Sequence, residues 1–130
     1  MLVCLSAVLR VKNEATNMLV PGTFWAEFHK EVGLIMTSEL LGLGLLDKAD
    51  VQNEDKNWPA YKKYFMHGTS HHIGLNTHDY GELKAGIYIP EENMGIRLED
   101  DVVIQEKGAP FNLMANIPIE ADEIEYLMQS

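Results

Sequence analysis

The sequence is poor in cysteine and in basic charge, and each shortage excludes a class of protein. Cys4 is the only cysteine among 130 residues, so no disulfide can form within the chain, which suits a reducing compartment. Ten Lys and Arg residues stand against 20 Asp and Glu residues, which gives a formal net charge of −10. Because so acidic a surface repels phosphate backbones, we expect no nucleic-acid partner.

Long apolar runs are also missing. No stretch of about 18 apolar residues occurs, so the sequence predicts no membrane-spanning helix. The apolar start at residues 1–9 has no basic segment before it and is followed by Arg10, which is unlike a secretory signal. We therefore expect a cytoplasmic protein with no membrane partner. The length and the 46% hydrophobic content fit one domain, residues 1–130, with a core of its own.

The first part of the chain has the apolar spacing of two helices. The first predicted helix ends at residues 20–23, Val-Pro-Gly-Thr, because a residue before proline avoids the helical region. Thr23 is the predicted N-cap of the second helix. The predicted buried stripe of that helix consists of Trp25, Phe28, Val32, Ile35, Met36 and Leu40. Residues 47–59 are polar and predict a surface connection.

The second part has the composition of short strands. Residues 63–66, 86–90, 95–104 and 111–114 carry β-branched and aromatic residues in short runs, and residues 90–95 have the character of a hairpin loop. A short closing helix is predicted after Pro118. Helices followed by antiparallel strands indicate an α+β fold.

Four of the five histidines lie within twelve residues, at His67, His71, His72 and His78. Imidazole is the commonest metal ligand and titrates near neutral pH, so the cluster suggests a metal or proton-transfer site. Histidines that simply bond to backbone groups are an equally good interpretation of this spacing. Three nearby glycines tip the balance slightly towards the wall of a pocket, because they cost stability in a purely structural strand.

A second group of charged residues follows at Arg97, Glu99 and Asp101. Residues two apart in a strand share a face, so these three side chains are expected on one side. Glu99 between a cation and a carboxylate could bind a metal ion, and oxygen ligands together with imidazole suit Mn, Zn, Co or Fe. The alternative, which the residues by themselves favour, is a solvated edge strand with a surface ion pair.

Three motifs occur in the order typical of one family. They are His-Gly-x-Ser-His-x-x-Gly-Leu at residues 67–75, His-Asp at 78–79 and Gly-Ile-Arg-x-Glu-Asp at 95–100. In this the chain resembles the Xaa-Pro aminopeptidase and prolidase family, and the resemblance extends over nearly the whole sequence. It implies a partial pita-bread fold, with helices packed on a mostly antiparallel sheet. It also implies hydrolysis of an N-terminal residue from peptides with proline in second position, and it allows a homodimer.

The resemblance also implies roles for individual residues. Family members use two divalent metal ions, here expected to be Mn, with His71 and Glu99 in the positions of ligands. His67 and His78 match the histidines that contact substrate, and Arg97 matches the arginine behind the metal site. Metal-bound water would be the nucleophile of such a site. His72 stands at a variable position and has no predicted role.

The sequence departs from the family pattern at the metal ligands. The family needs two aspartates from strands before the first helix and a glutamate in a strand directly before Gly-Ile-Tyr-Ile. Here Glu82-Leu-Lys-Ala runs straight into Gly86, and Glu82 is a poor substitute. We therefore expect residues 1–130 to be an incomplete C-terminal catalytic domain whose own activity is open. The rival hypothesis is a non-catalytic binding or structural module of the same fold.

Overall fold

Two long helices that pack against each other make up the first part of the chain. The computed structural model describes residues 2–70, 87–89 and 93–129, and within these it shows nine elements. Helix α1 is Leu2–Asn17 and helix α2 is Trp25–Gly42. The remaining elements are α3 (Lys48–Gln52), a 3-10 helix (Ala60–Lys63), β1 (Ile87–Ile89), β2 (Met94–Ile96), β3 (Val102–Val103), β4 (Phe111–Asn112) and α4 (Ala121–Gln129).

The buried stripe of α2 follows the predicted helical spacing. Phe28, Val32, Met36 and Leu40 repeat every fourth residue and are all buried, so they face α1 and the segment that follows. Trp25 differs from its prediction because it stays 39% exposed. The core that these helices share consists of Val8, Val11, Phe28, Val32, Met36, Leu40, Leu46, Tyr61, Tyr64 and Phe65.

The connection between α1 and α2 corrects one prediction. Thr23 is not the N-cap of α2; Phe24 takes that position and has no side-chain capping bond. The Thr23 hydroxyl instead donates to the Met18 carbonyl oxygen at 2.8 Å and accepts from the Val20 amide at 3.4 Å. The hydroxyl therefore closes the turn around Gly22, whose φ of +90° suits glycine, and is not available to cap the helix.

The segment between the helices and the strands also differs from its prediction. Residues 63–66 do not form a strand in the structure. The amides of Tyr64 and Phe65 both donate to the Tyr61 carbonyl oxygen, at 3.1 and 2.9 Å, which winds the chain into a turn. Because Tyr61, Tyr64 and Phe65 are spaced three and four apart, this turn buries all three rings on one side. The polar connection at 47–59 holds the short helix α3.

The described strands pair in two antiparallel hairpins, β1 with β2 and β3 with β4. Ile87 lies opposite Ile96, and Val102 lies opposite Asn112. The strand predicted for 95–104 is divided, since residues 97–101 pair with no strand in the described part of the chain. The closing helix is present as α4. The α+β class is confirmed, and no helix among the described residues is long and apolar enough to cross a membrane.

Candidate functional site

Of the four clustered histidines, His67 is the one within the described residues. It is exposed and follows the buried turn that ends at Phe65. His71, His72 and His78 lie outside the described residues, so their distance to Glu99 stays a prediction. Close by, Thr69 Oγ1 lies 3.3 Å from His29 Nδ1 on α2, which attaches the start of the histidine motif to the helix.

The charged group on the other side of the candidate site is an exposed ion pair. Arg97 Nη2 lies 3.0 Å from Glu99 Oε2, and the two side chains are 51% and 49% exposed. Asp101 is exposed as well, so the three charges share one side as the alternation predicted. This geometry matches the weak surface ion pair that the sequence allowed. It also places the Arg97 guanidinium beside Glu99, the predicted ligand. Carboxylates that bind metal ions are usually oriented by a hydrogen-bonding partner of this kind.

The described residues do not form a metal centre on their own. Within residues 2–70 and 93–129, no group of three or more His, Cys, Asp or Glu side chains is arranged to hold a metal ion. Of the two predicted ligands, this part of the chain supplies Glu99 alone. A structural zinc site uses four protein ligands and a catalytic one three, so Glu99 needs partners from elsewhere to bind a metal.

Directly behind Glu99 lies a buried ion pair that sequence reasoning missed. Lys12 Nζ lies 2.6 Å from Asp100 Oδ2, and the side chains are only 8% and 7% exposed. Asn112 Nδ2 of β4 donates to the same oxygen at 2.7 Å. The signal in the sequence was the position of Lys12 on α1, four residues after Val8 and next to Val11, on the face that packs into the core.

A cavity of about 470 Å³ lies between α1, α2 and residues 98–104. Its described walls are largely apolar and include Val11, Phe28, Leu98 and Leu113. Ser70 also lines it, and the Ser70 hydroxyl is buried without a hydrogen-bond partner among the described residues. The cavity thus lies between the helices and the segment that carries Glu99, and at its edge Lys12 reaches Asp100.

One histidine of the described region has a shifted pKa. Burial lowers the pKa of His29 below its ordinary value of 6.5, and the nearby positive charge of Lys62 lowers it further. His29 is therefore biased towards the neutral form, whose Nδ1 lies within hydrogen-bonding distance of the Thr69 hydroxyl.

Comparisons with known proteins converge on one group. The model of metallopeptidase family M24 matches residues 3–85. The Xaa-Pro aminopeptidase of Escherichia coli is 38% identical over 93% of this chain, and that of Haemophilus influenzae is 33% identical over the same share. The solved structure of Pseudomonas aeruginosa aminopeptidase PepP superimposes on 98% of the chain with a TM-score of 0.82 and 29% identity. These structural neighbours are pita-bread folds, as the sequence predicted.

The similarity is partial in two respects. The chain spans about a third of the length of the curated relatives, 32% for the Escherichia coli protein and 33% for that of Haemophilus influenzae. Both alignments contain 145 positions, whereas 93% of 130 residues is about 121 residues. About 24 aligned positions of each relative therefore have no counterpart in this chain.

Proposed function

The chain belongs to metallopeptidase family M24, and on that basis we propose that residues 1–130 are the C-terminal part of the catalytic domain of an Xaa-Pro aminopeptidase. The observation that carries the proposal is the 38% identity to the Escherichia coli Xaa-Pro aminopeptidase over 93% of this chain. The substrate of the whole protein would be a peptide with proline in second position, and the product its N-terminal residue. The protein would act in the cytoplasm, without nucleic acid or membrane as partners, and the resemblance to the family allows a homodimer.

Within that function, we propose His71 and Glu99 as ligands of a divalent metal centre, with two Mn ions as the preferred occupants and Zn, Co or Fe as alternatives. The exposed Glu99 carboxylate beside Arg97 supports this role, because a ligating carboxylate gains from a cation that fixes its orientation. A bound divalent metal would supply Lewis-acid activation of the scissile carbonyl. His67, which is exposed, His78 and Arg97 would contact the substrate or the ligand set.

A second candidate function is a non-catalytic binding or structural module. The observation that favours it is the shortened alignment, since about 24 aligned positions of the two bacterial peptidases have no counterpart in this chain. This module would keep the fold and bind no metal in stoichiometric amounts.

Metal titration of the purified chain separates the two functions. The peptidase-derived function predicts weak binding of Mn²⁺ or Zn²⁺, because two protein ligands hold a metal poorly. This binding should be lost in His71→Ala and in Glu99→Gln. His72→Ala and Glu31→Gln are matched controls, since His72 has no predicted role and Glu31 is an exposed glutamate of α2. Absence of any binding, or equal binding by all four variants, would contradict the ligand assignment.

Peptide hydrolysis is the second measurement. We expect the chain alone to release little or no N-terminal residue from a peptide such as Ala-Pro-Ala, with or without added Mn²⁺. His71→Ala should then change the rate very little, because the centre is incomplete before the change. Rapid Mn²⁺-dependent release by the unmodified chain would show that the remaining ligands are present after all. Ala-Ala-Ala serves as the control peptide for general peptidase contamination.

A further inference from the structure

We infer that Lys12 of α1 is a positioning residue that fixes the direction of the Glu99 side chain by anchoring Asp100 in the interior. This inference rests on the proposed function for the role of Glu99 as a ligand, but the anchoring itself does not. Lys12 acts through Asp100, whose carboxylate oxygen Oδ2 accepts from Lys12 Nζ at 2.6 Å and from Asn112 Nδ2 at 2.7 Å.

Few polar contacts attach the segment that carries Glu99 to the other described residues. Within the described part of the chain, residues 97–101 pair with no strand, so their side-chain contacts help to determine which residues face inwards. Leu98 lines the cavity and packs against the hydrophobic core, but it has no charged group to fix its side. The polar attachments described are the Asp100 carboxylate and the Asp101 carbonyl oxygen, which accepts from the Leu113 amide at 2.9 Å. Asp100 and Asp101 are the two residues that follow Glu99.

These attachments determine the side on which Glu99 lies. Successive side chains of an extended chain point to opposite sides, so an inward Asp100 requires an outward Glu99. The exposures agree with this, since Glu99 and Asp101 are exposed while Leu98 and Asp100 are partly buried. A slip by one residue would bury the Glu99 side chain and expose that of Asp100. The buried pair opposes that slip, because it would leave the Lys12 ammonium unpaired in the interior.

Asn112 of β4 holds the Asp100 carboxylate as well. Its amide nitrogen donates to Asp100, and its side-chain oxygen accepts from the Met114 amide at 2.7 Å, so the Asn112 side chain is fixed at both ends. The Asp100 carboxylate is thus held between α1 and β4. Lys12 supplies the charge that makes the interior position favourable for Asp100.

Thiol reactivity measures the side on which each residue lies. In a Cys4→Ser background, a cysteine is placed at position 98 or 99 by Leu98→Cys or Glu99→Cys, and its reaction rate with a small disulfide reagent is recorded. With Lys12 present, we expect position 99 to react at least about fivefold faster than position 98, because reactivity follows exposure. With Lys12→Met, the ratio should fall towards one.

Three further variants keep the test decisive. Val11→Ala removes a buried side chain of the same helix and should keep the high ratio, although it also lowers stability. Lys12→Arg keeps the charge and should keep the ratio. The double variant with Lys12→Met and Asp100→Asn has no unpaired buried charge, so it should fold even if Lys12→Met alone does not. In this double variant the ratio of the reaction rates at positions 99 and 98 should again be low. A high ratio in that double variant, or a low ratio in Val11→Ala, would overturn the inference.

Metal titration separates this inference from the proposed function. If Lys12→Met lowers both the thiol ratio and the Zn²⁺ affinity, the latter by about tenfold as for outer partners of metal ligands, both proposals hold. If the ratio falls but the unmodified chain binds no Zn²⁺, the anchoring stands and the metal function fails. If the unmodified chain binds Zn²⁺ through Glu99 and Lys12→Met changes neither quantity, the anchoring is wrong.

Discussion

Gly33 of α2 lies against the ring of Tyr61, and this contact requires a residue without a side chain. A Cβ atom built on Gly33 would be 2.7 Å from Tyr61 Cε1 and 2.9 Å from its hydroxyl oxygen. The Tyr61 ring is buried and also packs on Phe65, with ring centroids 6.1 Å apart, so it has little room to move. The sequence alone did not reveal this contact, because it depends on the turn at 60–63 folding back onto α2.

We expect Gly33→Ala to lower the free energy of unfolding. Overpacking a core costs about 1–3 kcal/mol, whereas the better helix propensity of alanine returns at most about 1 kcal/mol. The net loss should be about 1–2 kcal/mol by urea denaturation. Gly42→Ala is the matched control in the same helix, since a Cβ there would meet nothing within 4 Å, and it should be neutral or stabilising. Equal effects of both changes would contradict the packing argument.

The lowered pKa of His29 makes stability depend on pH in a defined direction. In the unfolded chain His29 takes up a proton near pH 6.5, whereas in the folded chain burial holds its pKa below that value. As the pH falls below about 6.5, the unfolded state therefore binds more protons than the folded state, and the free energy of unfolding falls. The contribution of His29 to stability is fully present above about pH 6.5, its pKa in the unfolded chain.

The measurement is the difference in urea midpoint between pH 7.5 and 5.5. His29→Gln should have a smaller difference than the unmodified chain, because it removes the group whose proton uptake favours unfolding. Lys62→Met should lie between them, since the Lys62 charge is the second cause of the lowered pKa. An unchanged pH dependence in His29→Gln would assign the effect to other groups.

At the scale of elements, the sequence predicts a helix correctly where a single buried face determines the structure. The fourth-residue spacing of Phe28, Val32, Met36 and Leu40 predicts α2 because burial against α1 satisfies the same pattern. The strand prediction for 63–66 fails because β propensity competes with the burial of three rings spaced three and four apart. Such a competition is decided by the rest of the core and cannot be read from four residues.

Helix α3 shows how local polar chemistry forms an element in a segment predicted as a connection. Asp47 Oδ1 accepts from the amides of Ala49 and Asp50, at 2.7 and 2.9 Å, and the Asp50 carboxylate accepts from the Asp47 amide at 2.9 Å. This reciprocal capping box satisfies three backbone donors of a five-residue helix that has no buried residue. The stability of α3 therefore depends on its cap.

We expect Asp47→Ala to lower the free energy of unfolding by about 1 kcal/mol, the usual cost of losing a cap. Hydrogen exchange should accelerate at Ala49 and Asp50, whose amides lose their acceptor, before it changes elsewhere. Asp47→Ser is the control, because serine also accepts from these amides, and it should restore most of the protection. Unchanged exchange at both amides in Asp47→Ala would rule out the capping role.

At the scale of the whole molecule, helix α1 and the segment that carries Glu99 are joined by a contact between residues 88 positions apart, Lys12 and Asp100. The sequence predicted that Arg97, Glu99 and Asp101 share one side of the segment, because alternation along an extended chain is local. It could not predict the partner of Asp100, since that depends on where α1 lies relative to the strands. The motif pattern located the candidate site, and the tertiary contact that supports it came only from the structure.

The last prediction concerns the energy of that contact. Removing one partner of a buried ion pair leaves an uncompensated charge, so Lys12→Met should lower the free energy of unfolding by about 3–5 kcal/mol. That is a large part of the total of about 5–15 kcal/mol of a typical domain. Adding Asp100→Asn removes the stranded charge, so the double variant should be more stable than Lys12→Met alone, and the two changes should be clearly non-additive.

Arg10 is the matched control for this cycle, since it lies on the same helix and also forms ion pairs, at 2.9 Å with Glu14 and 2.8 Å with Glu39. Its side chain is 61% exposed, so water and salt screen its charge, and Arg10→Met should have a much smaller effect. Urea denaturation at low and high salt measures both, and high salt should weaken the Arg10 contribution more than that of Lys12. Additive effects of Lys12→Met and Asp100→Asn, or a loss in Arg10→Met as large as in Lys12→Met, would show that burial of the Lys12–Asp100 pair does not hold α1 to the Glu99 segment.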